Sequence, residues 1–163
     1  FSRSALLRWK IIWSICYSSC AARVVNVSMA ALIIGRLRKL LGICWIWGPA
    51  AFLMILIFMT SSLSKPPDPP AGLSDKTAHA FVYAILGALI LRGLVSADWK
   101  GVTLKFGAVA VLFSALYGLS DEFHQSFVEG RVSDVVDLIA DTIGAFIGVT
   151  LVWALSVVRG LRQ

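Results

Sequence analysis

The sequence predicts an all-α, multi-pass membrane protein built as a four-transmembrane-helix bundle, and three observations carry that prediction. The 163 residues are 58% hydrophobic and only 15% charged, with six Trp and nine Phe, and the mean hydropathy is +0.83. A soluble domain of this size needs far more charge on its surface. The apolar residues fall in long runs rather than in the alternating segments of about ten residues that mark a membrane barrel, so helices must satisfy the backbone in lipid. Four of the runs from Met29 onward reach the ~20 residues that a helix needs to cross the hydrocarbon core.

Residues 1–28 stand apart from that pattern. They hold Arg3, Arg8, Lys10 and Arg23 and no acid, which is +4 of the +6 net charge, whereas the chain from Met29 has 11 basic and 9 acidic residues. The basic balance is therefore no nucleic-acid footprint. The chain begins with Phe, Met29 is a candidate start, and residues 1–28 are read as an extension preceding a membrane domain at 29–163. The uncharged run 11–22 is too short to span, and no clean cleavage site comes after it. Cys16, Cys20 and Cys44 do not form the spacing of a disulfide framework or a zinc site.

The first span is expected at residues 41–61, inside 25 uncharged residues between Lys39 and Lys65, with Pro49 placed to kink it. SKPPDPPAG, residues 64–72, breaks the helix and reads as an extended polyproline loop. The second span is expected at about 76–95, the third at 102–120 and the fourth at 135–158. Arg36, Arg38 and Lys39 before the first span, Arg92, Lys100 and Lys105 between the second and third, and Arg159 and Arg162 in the tail all fall at one end. By the positive-inside rule that end is cytoplasmic, together with both termini. Trp45, Trp47, Trp99 and Trp153 are expected at or near it, in interfacial belts or between helices. The Pro-rich loop and the acidic loop from Asp121 to Asp134 then share the outer face.

Helical periodicity gathers the polar residues of that face into stripes. Asp75, His79 and Tyr83 lie at i, i+4 and i+8 on the second span, and stripes of similar helical spacing are formed by Tyr117, Asp121 and His124 on the third and by Asp134, Asp137 and Asp141 on the fourth. An ionisable group facing lipid is costly, so the three stripes are expected to converge on one polar cluster inside the bundle. Asp141 lies seven residues beyond Asp134, about 10 Å deeper along the axis at ~1.5 Å per residue. Gly144 and Gly148 on the fourth span, with Gly107, Ser114 and Gly118 on the third, let the helices approach closely.

Several of these groups can do chemistry, and each has a plainer structural use. His79, Glu122 and His124 are the candidate acids and bases if the protein is an enzyme; the plainer use of a His at a helix end is interfacial hydrogen bonding. Arg131, after Gly130, is placed to offer a guanidinium to a carboxylate or phosphate, or else to pair internally with Asp134 or Asp137. Lys76 has the same two uses, and Tyr83 and Tyr117 read as packing residues with a hydroxyl to place. Asp75-x-x-x-His79 and Glu122-x-His124 match no recognised metal motif, so no metal or cofactor is expected.

Asp75-Lys76-x-x-His79-x-x-x-Tyr83, then Asp121-Glu122-x-His124-Gln125, then Gly130-Arg131 and beyond it Asp137-x-x-x-Asp141-x-x-Gly144-x-x-x-Gly148 closely resemble the VanZ-like family of bacterial membrane proteins. The resemblance covers about residues 40–158, with one departure: Asp141 stands where the family usually has Asn. It implies a protein of the bacterial cytoplasmic membrane with an outward polar site, in a family named for an accessory of teicoplanin resistance and without an assigned reaction. The expected function is binding or modulation of cell-envelope lipids, a lipid-linked cell-wall precursor or a lipoglycopeptide. Asp75, Lys76, Tyr83, Asp121, Gln125, Arg131, Asp134, Asp137 and Asp141 are the binding candidates. The alternatives are a membrane-embedded hydrolase or transferase on a lipid-linked phosphate or acyl group, and a proton-coupled carrier.

Overall fold

The computed structural model describes residues 3–65, 72 and 74–160, with side chains described from residue 32 onward. The described residues are helical, without strands: α1 (Arg3–Ser61), α2 (Asp75–Leu94), α3 (Leu104–Gln125) and α4 (Val135–Gly160), with a short 3-10 turn at Trp99–Gly101 before α3. Four segments are long and apolar enough to cross a membrane, at Leu32–Ser61, Asp75–Leu94, Leu104–Gln125 and Val135–Gly160. The chain forms two compact units, Phe1–Ile43 and Cys44–Gln163. The first contributes only helix from α1; the second holds the packed bundle and both of its polar ends.

Two helix limits differ from expectation. The helix that carries the first span does not begin at residue 41, since α1 runs unbroken through Arg36, Arg38 and Lys39; these are good helix formers that end an apolar run without ending a helix. Helix α3 continues through Gln125, so Asp121, Glu122 and His124 belong to its last turns and not to a loop. No breaker stands in that stretch before Gly130, and the Gln125 side chain donates to Asp121 one turn below, at 2.9 Å. Most of the Pro-rich segment 64–72 lies outside the described residues.

Among α2, α3 and α4, the α2–α4 interface is the most extensive, and α3 packs on both. Small residues permit the close crossing. A Cβ at Gly144 would meet the Ala80 carbonyl, one at Gly148 the Ala84 carbonyl, and one at Gly87 the Ala145 carbonyl at 2.8 Å. Membrane helices have little hydrophobic drive to associate, so this close backbone contact supplies the packing. Leu86, Ile90, Leu91 and Val149 fill the centre, whereas Leu104, Leu112, Phe113, Phe146 and Leu151 point outward, as a lipid-facing surface requires.

Pro49 lies inside α1 and has no N–H to offer the carbonyl of Trp45 four residues back. Arg92 of α2 supplies the missing donor: its Nη1 reaches Trp45 O at 3.0 Å and Ile46 O at 2.8 Å. The Trp45 ring lies 5.8 Å from the same guanidinium, and Trp47 packs against Gly93. At this end Arg159 also stacks on Trp99 at 4.1 Å. The basic residues and tryptophans therefore gather at the end of the bundle remote from Asp75.

Candidate functional site

The polar residues gather at the opposite end, where α2 and α4 begin and α1 and α3 finish. Ser74 caps α2 by accepting from Thr77 N at 3.3 Å. Asp134 does the same for α4, its Oδ1 accepting from Val136 N at 2.9 Å. Its other oxygen, Oδ2, accepts from Lys76 Nζ at 2.8 Å, and Asp137 Oδ1 accepts from the same ammonium at 2.6 Å. Lys76, with the Val136 N–H, holds the Asp134 carboxyl below the usual carboxylate range. One turn further in, His79 Nδ1 meets Asp141 Oδ1 at 3.0 Å, with Asp141 fully buried.

A second group lies between α1 and α3. Asp121 Oδ2 accepts from Ser61 Oγ at 2.8 Å and from Gln125 Nε2 at 2.9 Å. His124 Nε2 pairs with Ser62 Oγ at 3.0 Å, and its ring lies 4.6 Å from that of Phe58. Tyr117 donates to Met54 O at 2.6 Å. The Tyr117, Asp121 and His124 stripe forms hydrogen bonds with α1 and the adjoining Ser62, while the Tyr117 ring stays 6.4 Å from that of Tyr83 on α2. Ser61, Ser62 and Phe58 were not among the candidates. Their only signal in the sequence was a Ser pair closing an apolar span.

Glu122 joins the two groups. Its Oε2 accepts the Asp134 backbone N–H at 2.8 Å, tying the end of α3 to the start of α4. Gly118 brings the same helices together by its size: a Cβ there would lie 3.0 Å from Asp141 Oδ2 and 3.3 Å from the Tyr83 ring. Tyr83 OH, Glu122 Oε1 and Asp141 Oδ2 are buried without a hydrogen-bond partner among the described residues. Buried polar atoms of this kind call for a ligand, an ion or water.

Arg131 comes directly after Gly130, whose φ of +83° suits glycine and turns the chain. The internal pairing open to Arg131 on sequence grounds is taken by Lys76, which holds both Asp134 and Asp137. Among the described residues Arg131 makes no ion pair, and its Nε has no partner. Asp75 is exposed on the first turn of α2, on the same side as His79. One donor atom each of Asp75, His79 and Asp137 lies within 4.8 Å of the others.

Among known proteins, a family model described as VanZ/LLP1 matches residues 24–157. An uncharacterized protein of the fission yeast Schizosaccharomyces pombe is 28% identical over 101 residues, which are 62% of this chain and 60% of that protein. The chain thus aligns with somewhat under two thirds of that relative's length. No solved structure matches.

Proposed function

The chain belongs to the VanZ/LLP1 family, and from that premise we propose that it is a membrane-embedded binding module whose polar end holds the anionic head group of a membrane lipid or lipid-linked envelope precursor. The observation that carries the reading is the division of labour between the two cations. Lys76 is committed to Asp134 and Asp137, which leaves the Arg131 guanidinium in its turn as the cation available to a phosphate or carboxylate. His79 lies at the same end and can add a donor at Nε2, while Gln125 is engaged with Asp121 and Ser61. The yeast relative favours a phosphorylated lipid head group, a chemistry common to many membranes, over a lipoglycopeptide antibiotic. The positive-inside distribution of Lys and Arg favours an outward polar end with both termini cytoplasmic.

The test is lipid binding by the full chain in detergent micelles, measured by native mass spectrometry with a polyisoprenyl phosphate and with a neutral diacylglycerol. Arg131→Gln is expected to weaken the phosphate lipid by about tenfold, some 1.4 kcal/mol, and Arg131→Lys by less. Equal binding of both lipids, or no effect of Arg131→Gln, would sink the proposal.

A second reading has one observation in its favour. His79 is held at Nδ1 by a buried carboxylate, the arrangement that orients an imidazole as general base. A hydrolase of lipid-linked phosphates would use His79 in this way. Glu122 and His124 do not join it, since each is engaged with a different partner. Hydrolysis of the phosphate lipid by purified protein, abolished in His79→Gln, is the result that would select this reading.

A further inference from the structure

We propose that Asp75, His79 and Asp137 form a binding site for one divalent transition-metal cation, with Asp141 as the positioning residue that orients His79. The inference goes beyond the head-group reading and does not depend on it. Asp75 and His79 sit one helical turn apart on α2, and Asp137 reaches them from the first turn of α4 across the tightest helix contact in the bundle. Their donor atoms already lie within 4.8 Å of one another. Donors on one ion at about 2.1 Å stand roughly 3 to 4 Å apart, so a rotamer adjustment of about an ångström closes the site.

The surroundings of His79 point the same way. With Nδ1 on Asp141 Oδ1 at 3.0 Å, Nε2 is the ring nitrogen that we assign to the metal. A carboxylate behind a ligating imidazole fixes its tautomer and raises its basicity, and such partners accompany most metal-bound His. Asp141 is fully buried and its Oδ2 has no partner among the described residues. A carboxylate so placed has no evident packing use, and holding His79 gives it one.

The balance of charge favours a cation as well. The mouth holds four carboxylates, of which Asp134 and Asp137 share the Lys76 ammonium and Asp141 is paired with the His79 imidazole, so acids outnumber their cationic partners. Asp75 makes no ion pair among the described residues. A cation beside Asp75 and Asp137 would offset that excess, and the Lys76 ammonium 2.6 Å from Asp137 Oδ1 shows that positive charge is accepted there. Asp75 is exposed, His79 half-buried and Asp137 buried, so an ion can enter from the mouth and keep open coordination positions. One imidazole with two carboxylates suits manganese or zinc. A cation on Nε2 would also leave His79 no nitrogen with which to take a proton, so metal binding and the general-base use of His79 exclude each other.

The experiment titrates Mn²⁺ alone, with no added lipid, into chelator-stripped full-length protein in micelles, following free Mn²⁺ by electron paramagnetic resonance; Zn²⁺ is then tested by displacement. One ion per chain is expected. His79→Ala and Asp137→Asn should each lower affinity by about tenfold or more, and so should Asp75→Asn, an exposed substitution that leaves the bundle intact by thermal melting. Lys76→Met should raise affinity severalfold by releasing Asp137, a gain that a purely structural Asp137 would not produce. Absence of saturable binding of either ion, or wild-type affinity in Asp75→Asn together with no gain in Lys76→Met, would overturn the proposal. Because no lipid is present, such a failure leaves the Arg131 test of head-group binding unaffected.

Discussion

His79 and Asp141 are 62 residues apart in the chain and 3.0 Å apart in the fold, and the contact joins the two helices whose glycines and alanines cross most closely. Asp141 thus has a defined task at a depth where a carboxylate without a partner is costly.

Asn at position 141 would keep an oxygen for the His79 Nδ1–H while removing a charge. Asp141→Asn is therefore expected to melt within about 1 kcal/mol of the parent, the scale of one ordinary hydrogen bond. Asp141→Leu strands the imidazole nitrogen and should cost about 1–3 kcal/mol. Thermal unfolding in detergent, read by tryptophan fluorescence, separates the two. Equal losses would mean that the hydrogen bond to His79 is not what Asp141 contributes.

Arg92 and Pro49 form a testable pair. Arg92→Leu leaves the Trp45 carbonyl without a donor and removes a second bond from the Ile46 carbonyl, and should destabilise by about 1–3 kcal/mol. Pro49→Ala restores a backbone N–H to Trp45 O, so Arg92→Leu should cost less in that background. A double-mutant cycle with a coupling energy near zero would refute the idea that Arg92 serves the proline.

Gly148→Val should prevent folding of the spanning bundle, because its Cβ falls on the Ala84 carbonyl. Gly42→Ala, with open space around it, should be neutral or stabilising by up to about 1 kcal/mol, the helix propensity difference. Monodispersity and melting temperature in the same detergent provide the comparison.

The Asp134 carboxyl lies below its ordinary range because Lys76 and the Val136 N–H favour its charged form. A carboxyl depressed in the folded state stabilises above its unfolded pKa of about 3.9 and loses that contribution as pH falls through the folded value. The melting temperature should therefore drop on acidification below about pH 4, with a shallower acid limb in Asp134→Asn. The side chain is 42% exposed, so the difference should be small and should shrink in high salt. Parallel acid limbs would show that the Lys76 contact adds nothing measurable.

Much of the fold was legible from composition and run length, since lipid imposes both: apolar stretches of spanning length, helices as the backbone solution, and small residues where helices cross. The expectation that Gly144 and Gly148 mark a close approach is met on α2, at Ala80 and Ala84. Periodicity also brought Asp75 and His79 together, because residues on one helix share a face by geometry alone. It could not choose the partner of each stripe. Rotation of α3 about its axis is set by packing, and it turned Asp121 and His124 toward Ser61 and Ser62. Nor could it foresee that Lys76 would take both acids open to Arg131, or that Arg92 would serve the carbonyl left free by Pro49. The sequence by itself determined the apolar surroundings, the helices and the end of the bundle where the acidic and His residues gather. Only the tertiary structure decided which charges neutralise one another and which remain for a ligand, because pairing depends on distances of a few ångströms between residues that stand far apart in the chain.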